Sequence, residues 1–281
     1  MPLKVQKGRF LSEFSTLGIG GPIESFVQVS SIEDMCEAFK YDLPKMVIGK
    51  GSNCLFDDQG FKGLVILNKI DFCDWDGPNI IAGSGYSFSL LGIQSARKNL
   101  TGLEFASGIP ASVGGAVFMN AGANGKETCD HLKSVEYFDG KERRTFQKKE
   151  LEFSYRFSSF HQMKGVILYA TFSLSSKETA RKTQLEIVSY RMKTQPLKDK
   201  SIGCIFRNPE KQSAGALIDQ CGVKGLTVGG AQVSTIHANF IINRNKATSS
   251  DIKKLIKLVQ QKVFQQTGVF LEPEVRMIDG K

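Results

Sequence analysis

A run of small residues between Gly102 and Gly125 limits this chain more than any other feature of its sequence. It reads Gly108-Ile-Pro-Ala-Ser-Val-Gly-Gly-Ala116, then Met119-Asn-Ala-Gly122 and Gly125. A run this poor in bulk is expected to contribute little core and to let backbone approach a ligand closely. Its candidate binding positions are Gly108, Ile109, Pro110, Ser112, Gly114, Gly115, Ala116, Asn120 and Gly122. Pro110 stiffens the loop and Ser112 adds a hydroxyl. A second loop, Gly49-Lys-Gly-Ser-Asn53, follows a predicted strand. There Gly49, Gly51, Ser52 and Asn53 let successive N–H groups point at one anion. Neither loop is a G-x-G-x-x-G with an acidic residue about 20 positions later. Neither carries the G-K-[ST] of a P-loop. The pattern argues against both of those nucleotide-binding classes.

The flanking sequence alternates strands and helices. Strands are predicted at 26–29, 46–48, 64–67, 80–82 and 166–174, and a last one starts at 269–271. Ser30-x-x-Glu33 reads as a capping box opening a helix to about Phe39. Further helices are predicted at 87–98, 184–192 and 214–221, the last stopped by Gly222. Leu185, Val188 and Met192 are expected on one face of the second of these. The clearest helix is 250–266, where Ile252, Leu255, Ile256, Val259 and Val263 form an apolar stripe ended by Gly268. A polar stretch at 175–200, closing on Gln195-Pro196, reads as a boundary.

Composition narrows the class. Of 281 residues 41% are hydrophobic, enough for one large core or two modest ones. The net charge of +9 favours anionic partners without naming them. A basic strip interleaved with aromatics is missing, which argues against nucleic acid. The six cysteines form no C-x-x-C pair, so a zinc framework is not expected and reduced thiols are. The stretch 1–10 is polar and lacks an apolar signal core, and no run reaches a membrane span of about 20 residues. The expected compartment is the cytoplasm, with no membrane partner.

Several motifs in order make the likeness specific. Gly49–Asn53, Gly102-Leu-Glu-Phe105, Ile109-Pro110 and Gly114-Gly-Ala116 through Asn120-Ala-Gly122 come first. Tyr155-Arg156, Gly203-Cys-Ile-Phe-Arg-Asn-Pro209, Ala214-Gly-x-Leu-Ile218, Gly222-Val-Lys-Gly225, His237-Ala-Asn-Phe240 and Leu271-Glu-Pro-Glu-Val-Arg276 follow. From about Thr16 to Ile278 the chain resembles the UDP-N-acetylenolpyruvoylglucosamine reductase (MurB) family, in its short branch without the extra tyrosine loop. The resemblance implies an α+β fold. It places a two-subdomain FAD-binding region of the p-cresol methylhydroxylase type at 1–70 and 71–175, with an α+β substrate domain at 176–281. It also implies non-covalent FAD, NADPH as co-substrate and a UDP-sugar substrate. The sequence shows no heptad or obvious apolar interface, so a monomer is expected.

The same resemblance implies roles for single residues. In the family's reaction a hydride from flavin N5 reaches C3 of an enolpyruvyl ether, charge develops on an enolate, and C2 takes a proton. Arg156 is then the partner of the carboxylate and enolate, since arginine stays charged and binds carboxylates in a two-pronged way. Cys204 stands where many members have serine and is the expected proton donor to C2. Glu274 matches the catalytic glutamate, while Glu272, two residues away on a strand, is expected to face the same side. Tyr155, Arg191, Lys193 and Asn208 are the candidate substrate contacts. Some relatives have lysine at Thr194, which leaves open which basic residue meets the UDP diphosphate. Thr16-Leu-Gly-Ile-Gly-Gly21 matches a flavin-side motif in which some members have arginine at Gly18, which leaves open a charge contact there. His237 is expected to be a structural hydrogen-bonder and Trp75 a packing residue. Oxidases of related fold tether their flavin through a histidine in the first loop, and 49–53 has none.

Overall fold

In the computed structural model, which describes residues 3–279, the chain forms two compact units. The first takes in Phe26–Lys50 and Leu64–Arg191 with the residues up to Gln6. The second takes in Lys7–Ser25, Gly51–Gly63 and the chain from Met192 onward. Both mix helices and strands, so the fold is α+β. Among the described residues no helix is long and apolar enough to cross a membrane.

The first unit has two cores. One is built from Val27, Val29, Met35, Ala38, Leu64 and Ile66. Here α1 (Ile32–Phe39) covers strands Lys45–Ile48 and Phe61–Asn68, which run parallel with Lys45 opposite Leu64. The cap of α1 is Ser31, whose hydroxyl accepts from Asp34 N at 3.0 Å, rather than the Ser30 of the expected box. Two serines precede two acids, so two boxes one residue apart are possible. Burial of Met35 and Ala38 selects the register. The second core lies on a five-stranded antiparallel sheet ordered 143–147, 132–138, 166–173, 79–83, 73–76. Strand Val166–Ser173 serves both cores: Ile167, Ala170 and Phe172 join the second, Val166 and Leu168 the first.

Two helices finish the second core, α2 (Phe88–Arg97) and α3 (Val113–Phe118). The small-residue run contributes more core than its composition suggests. Leu103, Phe105, Ala106, Val113, Ala116 and Val117 are all buried. The few bulky residues between the glycines turn inward, on a 3-10 turn at Glu104–Ala106 and on α3. A fourth helix, α4 (Ala180–Thr194), contains the junction of the units after Arg191. Its expected apolar face is not the buried one. Leu185 and Met192 are exposed, while Ala180 and Gln184 point inward. Gln184 is tolerated there because its amide oxygen accepts from Arg181.

The second unit has one core. A four-stranded antiparallel sheet, ordered 201–204, 240–243, 231–233, 227–228, is covered by α5 (Ala214–Gln220) and α6 (Ser249–Thr267). All five stripe residues of α6, from Ile252 to Val263, are buried. Each contributes roughly 1.5–3 kcal/mol by leaving water. Thr248 and Asp251 cap the helix reciprocally, and Gly268 at φ 71° ends it. The strand expected at 269–271 is instead Arg276–Ile278, parallel to Cys54–Phe56. Pro273 has no N–H to donate to a ladder, and its pairing is one isolated bridge, with Phe206.

The two serines before α1 can be separated by experiment. Ser31→Ala should destabilise the protein by about 0.5–2 kcal/mol in urea unfolding. Ser30→Ala should change it by less than about 0.5 kcal/mol. Equal effects would place the cap at Ser30 after all.

Candidate functional site

In the first unit the small-residue run is woven onto the start of α2. Phe88 N donates to Ala111 O at 3.0 Å, and Gly108 N donates to Ser89 Oγ at 2.8 Å. Ser87 and Ser112 form an antiparallel bridge, and Val113 N reaches Tyr86 O at 2.9 Å. Ser112 is buried and caps α3 by accepting from Gly115 N at 3.3 Å. Gly49 lies against this hydroxyl: a Cβ at position 49 would collide with Ser112 Oγ. The first loop and the long run thus meet through a bare α-carbon, and only glycine permits that approach. Gly114 is half-buried and Gly115 exposed, so the first turn of α3 is open to a ligand. Pro110 is exposed and Ile109 half-buried beside it, while Ala116 is buried.

Two residues of the run serve as internal supports. Glu104 is buried and accepts from Thr101 Oγ1 at 2.5 Å and Gly102 N at 2.7 Å. Asn120, fully buried at φ 43°, uses both ends of its amide. Its Nδ2 donates to Glu127 Oε2 at 2.8 Å and Ser154 O at 3.0 Å, and its Oδ1 accepts from Cys129 N at 3.1 Å. The contact with Ser154 fixes the chain two residues before Arg156. Arg156 itself has φ 59°, a left-handed conformation that costs an arginine of order 1–3 kcal/mol. Its Nη2 donates to Gly122 O at 3.0 Å and its guanidinium lies 4.7 Å from the Tyr155 ring centroid. A Cβ at Gly122 would meet Lys126 O at 2.5 Å and Arg156 Nη1 at 3.3 Å, so this glycine lets the guanidinium come in. Arg191 donates to Gly108 O at 3.1 Å, at the start of the open segment.

The second unit brings together the other expected residues. Gly51 is buried, and its carbonyl accepts from Thr16 N at 3.3 Å. Thr16 Oγ1 also donates to Ser201 O at 2.6 Å, at the head of the strand that ends in Cys204. Ser52 and Asn53 are half-buried. Asn53 Nδ2 donates to Glu274 O at 3.4 Å, and Asn53 O accepts from Arg276 N at 3.0 Å. Glu274 N donates to Ile205 O at 2.7 Å and Arg207 N to Glu272 O at 2.9 Å. Segment 272–274 therefore lies alongside 205–207, immediately after half-buried Cys204. Glu272 is exposed and Glu274 half-buried, which separates the two carboxylates that strand spacing left equivalent. Asn208 is exposed, and its Oδ1 accepts from Ala214 N at 3.0 Å at the start of α5. Lys193 is exposed on the last turn of α4.

Sequence reasoning missed the supports. Asn239, 2% exposed, accepts from Phe206 N at 2.9 Å and donates to Phe206 O at 2.8 Å. Its own carbonyl accepts from Ile205 N at 2.9 Å. The signal was a lone asparagine between apolar residues in His237-Ala-Asn-Phe240. His237 accepts from Asn239 N at 3.2 Å, a structural role. Lys98 lies over Trp75 at 5.1 Å. Lys50, a cation inside a loop of small residues, donates to Ser87 Oγ at 2.8 Å.

Comparisons with known proteins identify the family of the chain. The family described as FAD binding domain matches residues 23–144. The family described as UDP-N-acetylenolpyruvoylglucosamine reductase, C-terminal domain, matches residues 195–278. The reductase of that name from Protochlamydia amoebophila is 51% identical over 284 residues, covering 99% of this chain and 95% of the relative. The one from Chlamydia pneumoniae is 46% identical, covering 99% and 93%. The crystal structure of MurB from Thermus caldophilus superposes with TM-score 0.86 at 38% identity, covering 98% of this chain and 99% of that one. With half of its residues shared over nearly full length, the chain belongs to the UDP-N-acetylenolpyruvoylglucosamine reductase (MurB) family and is an oxidoreductase with an FAD-binding domain.

Proposed function

We propose that this enzyme reduces the enolpyruvyl ether of UDP-N-acetylglucosamine to UDP-N-acetylmuramate, with NADPH as reductant, in the cytoplasm and as a monomer. The reading rests on the near-full-length likeness to reductases of that name. The observation that carries its chemistry is the backbone pairing of 205–207 with 272–274, which holds Cys204 and Glu274 on adjoining segments of one unit. Segments 1–70 and 71–175 are the proposed cofactor subdomains and 176–281 the proposed substrate domain.

The residues present fit an FAD dinucleotide. The contact of Gly49 with Ser112 is one that any side chain at position 49 would fill, and Gly115 beside it is exposed. Proposed holders are Gly49, Gly51, Ser52 and Asn53 from the first loop. Gly108, Ile109, Pro110, Ser112, Gly114, Gly115, Ala116, Asn120 and Gly122 complete the set. Asn120 acts there through the backbone it supports, since its amide is already hydrogen-bonded. When bound, the flavin supplies the group that takes a hydride from the nicotinamide and gives it to the substrate.

The protein's own work is charge and proton management. Arg156 neutralises the substrate carboxylate and the enolate charge, already held in place by Gly122 O and the Tyr155 ring. Holding the cation before the reaction saves its reorganisation later. Cys204 donates the proton to C2, a step open to a thiol because it is more acidic than an alcohol. Glu274, half-buried, polarises the substrate and organises that proton. Tyr155, Arg191, Lys193 and Asn208 are the proposed contacts to the UDP-sugar.

NADPH oxidation by the pure yellow protein should require the enolpyruvyl UDP-sugar. Oxidation at the same rate without it would overturn the reading. Cys204→Ala should lower substrate reduction by about 10²–10⁴-fold while flavin reduction by NADPH in stopped flow persists. Substrate turnover at the wild-type rate would remove Cys204 from the mechanism. Glu274→Gln should lower kcat by a factor in the same range, whereas Glu272→Gln should stay within about threefold, as surface substitutions do. The reverse order would exchange their roles.

A further inference from the structure

The loop Gly49–Asn53 carries one charge, on Lys50, and its position is electrostatically poor. The Lys50 ammonium donates to Ser87 Oγ at 2.8 Å. Ser87 is the cap of the ten-residue helix α2 and also accepts from Leu90 N at 3.4 Å. The N-terminus of a helix carries partial positive charge, so a cation there is disfavoured. Lys69 adds a second like charge. Lys69 lies on the chain that packs against Gly85, two residues before Ser87. Among the described residues Lys50 forms no ion pair. The residue as a whole is exposed, but burial around its ammonium, then Lys69, hold it below the ordinary lysine range, with Asp71 offsetting part of this.

This cation stands beside the cradle. Ser87, its partner, bridges Ser112, and Ser112 is the residue that Gly49 touches. Ser89, two residues on, accepts from Gly108 N. Next to Gly108 in the sequence, the fully buried hydroxyl of Ser107 has no hydrogen-bond partner among the described residues. Positive charge and a helix start thus meet beside the contact of Gly49 with Ser112, with no carboxylate among the described residues ion-paired to the lysine. Negative charge brought by a ligand would offset the unfavourable placement of this cation.

We propose that Lys50 is a phosphate-reading residue of the cofactor site, its ammonium held by Ser87 as counter-charge to a phosphate of the bound dinucleotide. The inference rests on the FAD reading above. The phosphate chemistry is shared by the flavin dinucleotide and by the phosphorylated nicotinamide dinucleotide, and the structure favours the flavin because Lys50 follows Gly49 directly.

The test compares holoenzymes of wild type, Lys50→Met, Lys50→Arg and Ser87→Ala, with thermal melting to check folding. Flavin release after dilution is followed by flavin fluorescence at several salt concentrations. Lys50→Met should release flavin about ten- to a hundredfold faster than wild type. It should also lose most of the salt dependence that wild type shows. Lys50→Arg should stay near wild type, and Ser87→Ala should keep the salt dependence. Should Lys50→Met not fold, Lys50→Gln takes its place. Release from Lys50→Met at the wild-type rate would overturn the proposal. An unchanged release rate with a raised KM for NADPH alone would assign the lysine to the reductant and overturn it likewise. Wild-type protein that holds no flavin would instead sink the functional reading beneath it.

Discussion

The amide of Asn239 satisfies both backbone groups of Phe206, and much of the second unit depends on that pair of bonds. Phe206 is itself buried, so an unanswered N–H and C=O there would each cost about 1–3 kcal/mol. Strand Ser201–Cys204 ends just before it and cannot supply the partners through regular pairing. Asparagine can, because its side chain copies a peptide group, one donor and one acceptor in a plane. With Phe206 held on that side, Ile205 and Arg207 are left to pair with Glu274 and Glu272. Those two bonds set where Glu274 lies relative to Cys204.

The first unit uses the same device. Asn120 is also buried, and also answers backbone groups, the carbonyl of Ser154 and the N–H of Cys129. Its bond to Ser154 O adds to the hairpin pairing of Ser154 with Phe157 that brackets Arg156, whose backbone is left-handed. Gly122 O completes the hold from the arginine's far end. In both units, a residue proposed for chemistry sits one or two positions from backbone fixed by a buried asparagine. Side chains that must be placed to within a fraction of an ångström are best carried on such restrained segments.

These supports explain what could be read beforehand. Helix α6 was legible because its stripe, its cap and its terminal glycine all agree, and local signals of that kind need no knowledge of distant chain. The cap of α1 slipped by one residue because Ser30 and Ser31 offer equal local chemistry, and only the burial of Met35 and Ala38 decides between them. The α4 face was misread because a buried glutamine with an arginine partner looks polar in any pattern. Glu272 and Glu274 could not be told apart by spacing, since their difference in exposure comes from segment 205–207 of the remote chain. The motifs point to candidate site residues and leave unread the scaffold that holds them. Asn120 and Glu104 lie inside motifs expected to touch ligand, yet their polar atoms are answered by the protein itself.

Lys50 falls on the other side of that division. A motif residue whose hydrogen bonds close within the protein can be explained by folding alone, however well it matches a family pattern. Lys50 has a hydroxyl for a partner and the start of a helix beside it, and among its charged neighbours Lys69 outweighs Asp71. Methionine or glutamine in its place would remove the repulsion from Lys69 and from the start of α2 at little loss of packing. The asymmetry is informative because proteins hold unfavourable local charge mainly where a ligand reverses its sign of effect. The same reasoning ranks the whole cradle: Ser112 and Gly49 are required by the meeting of two backbones, whereas the lysine between Gly49 and Gly51 is required only by what that meeting holds.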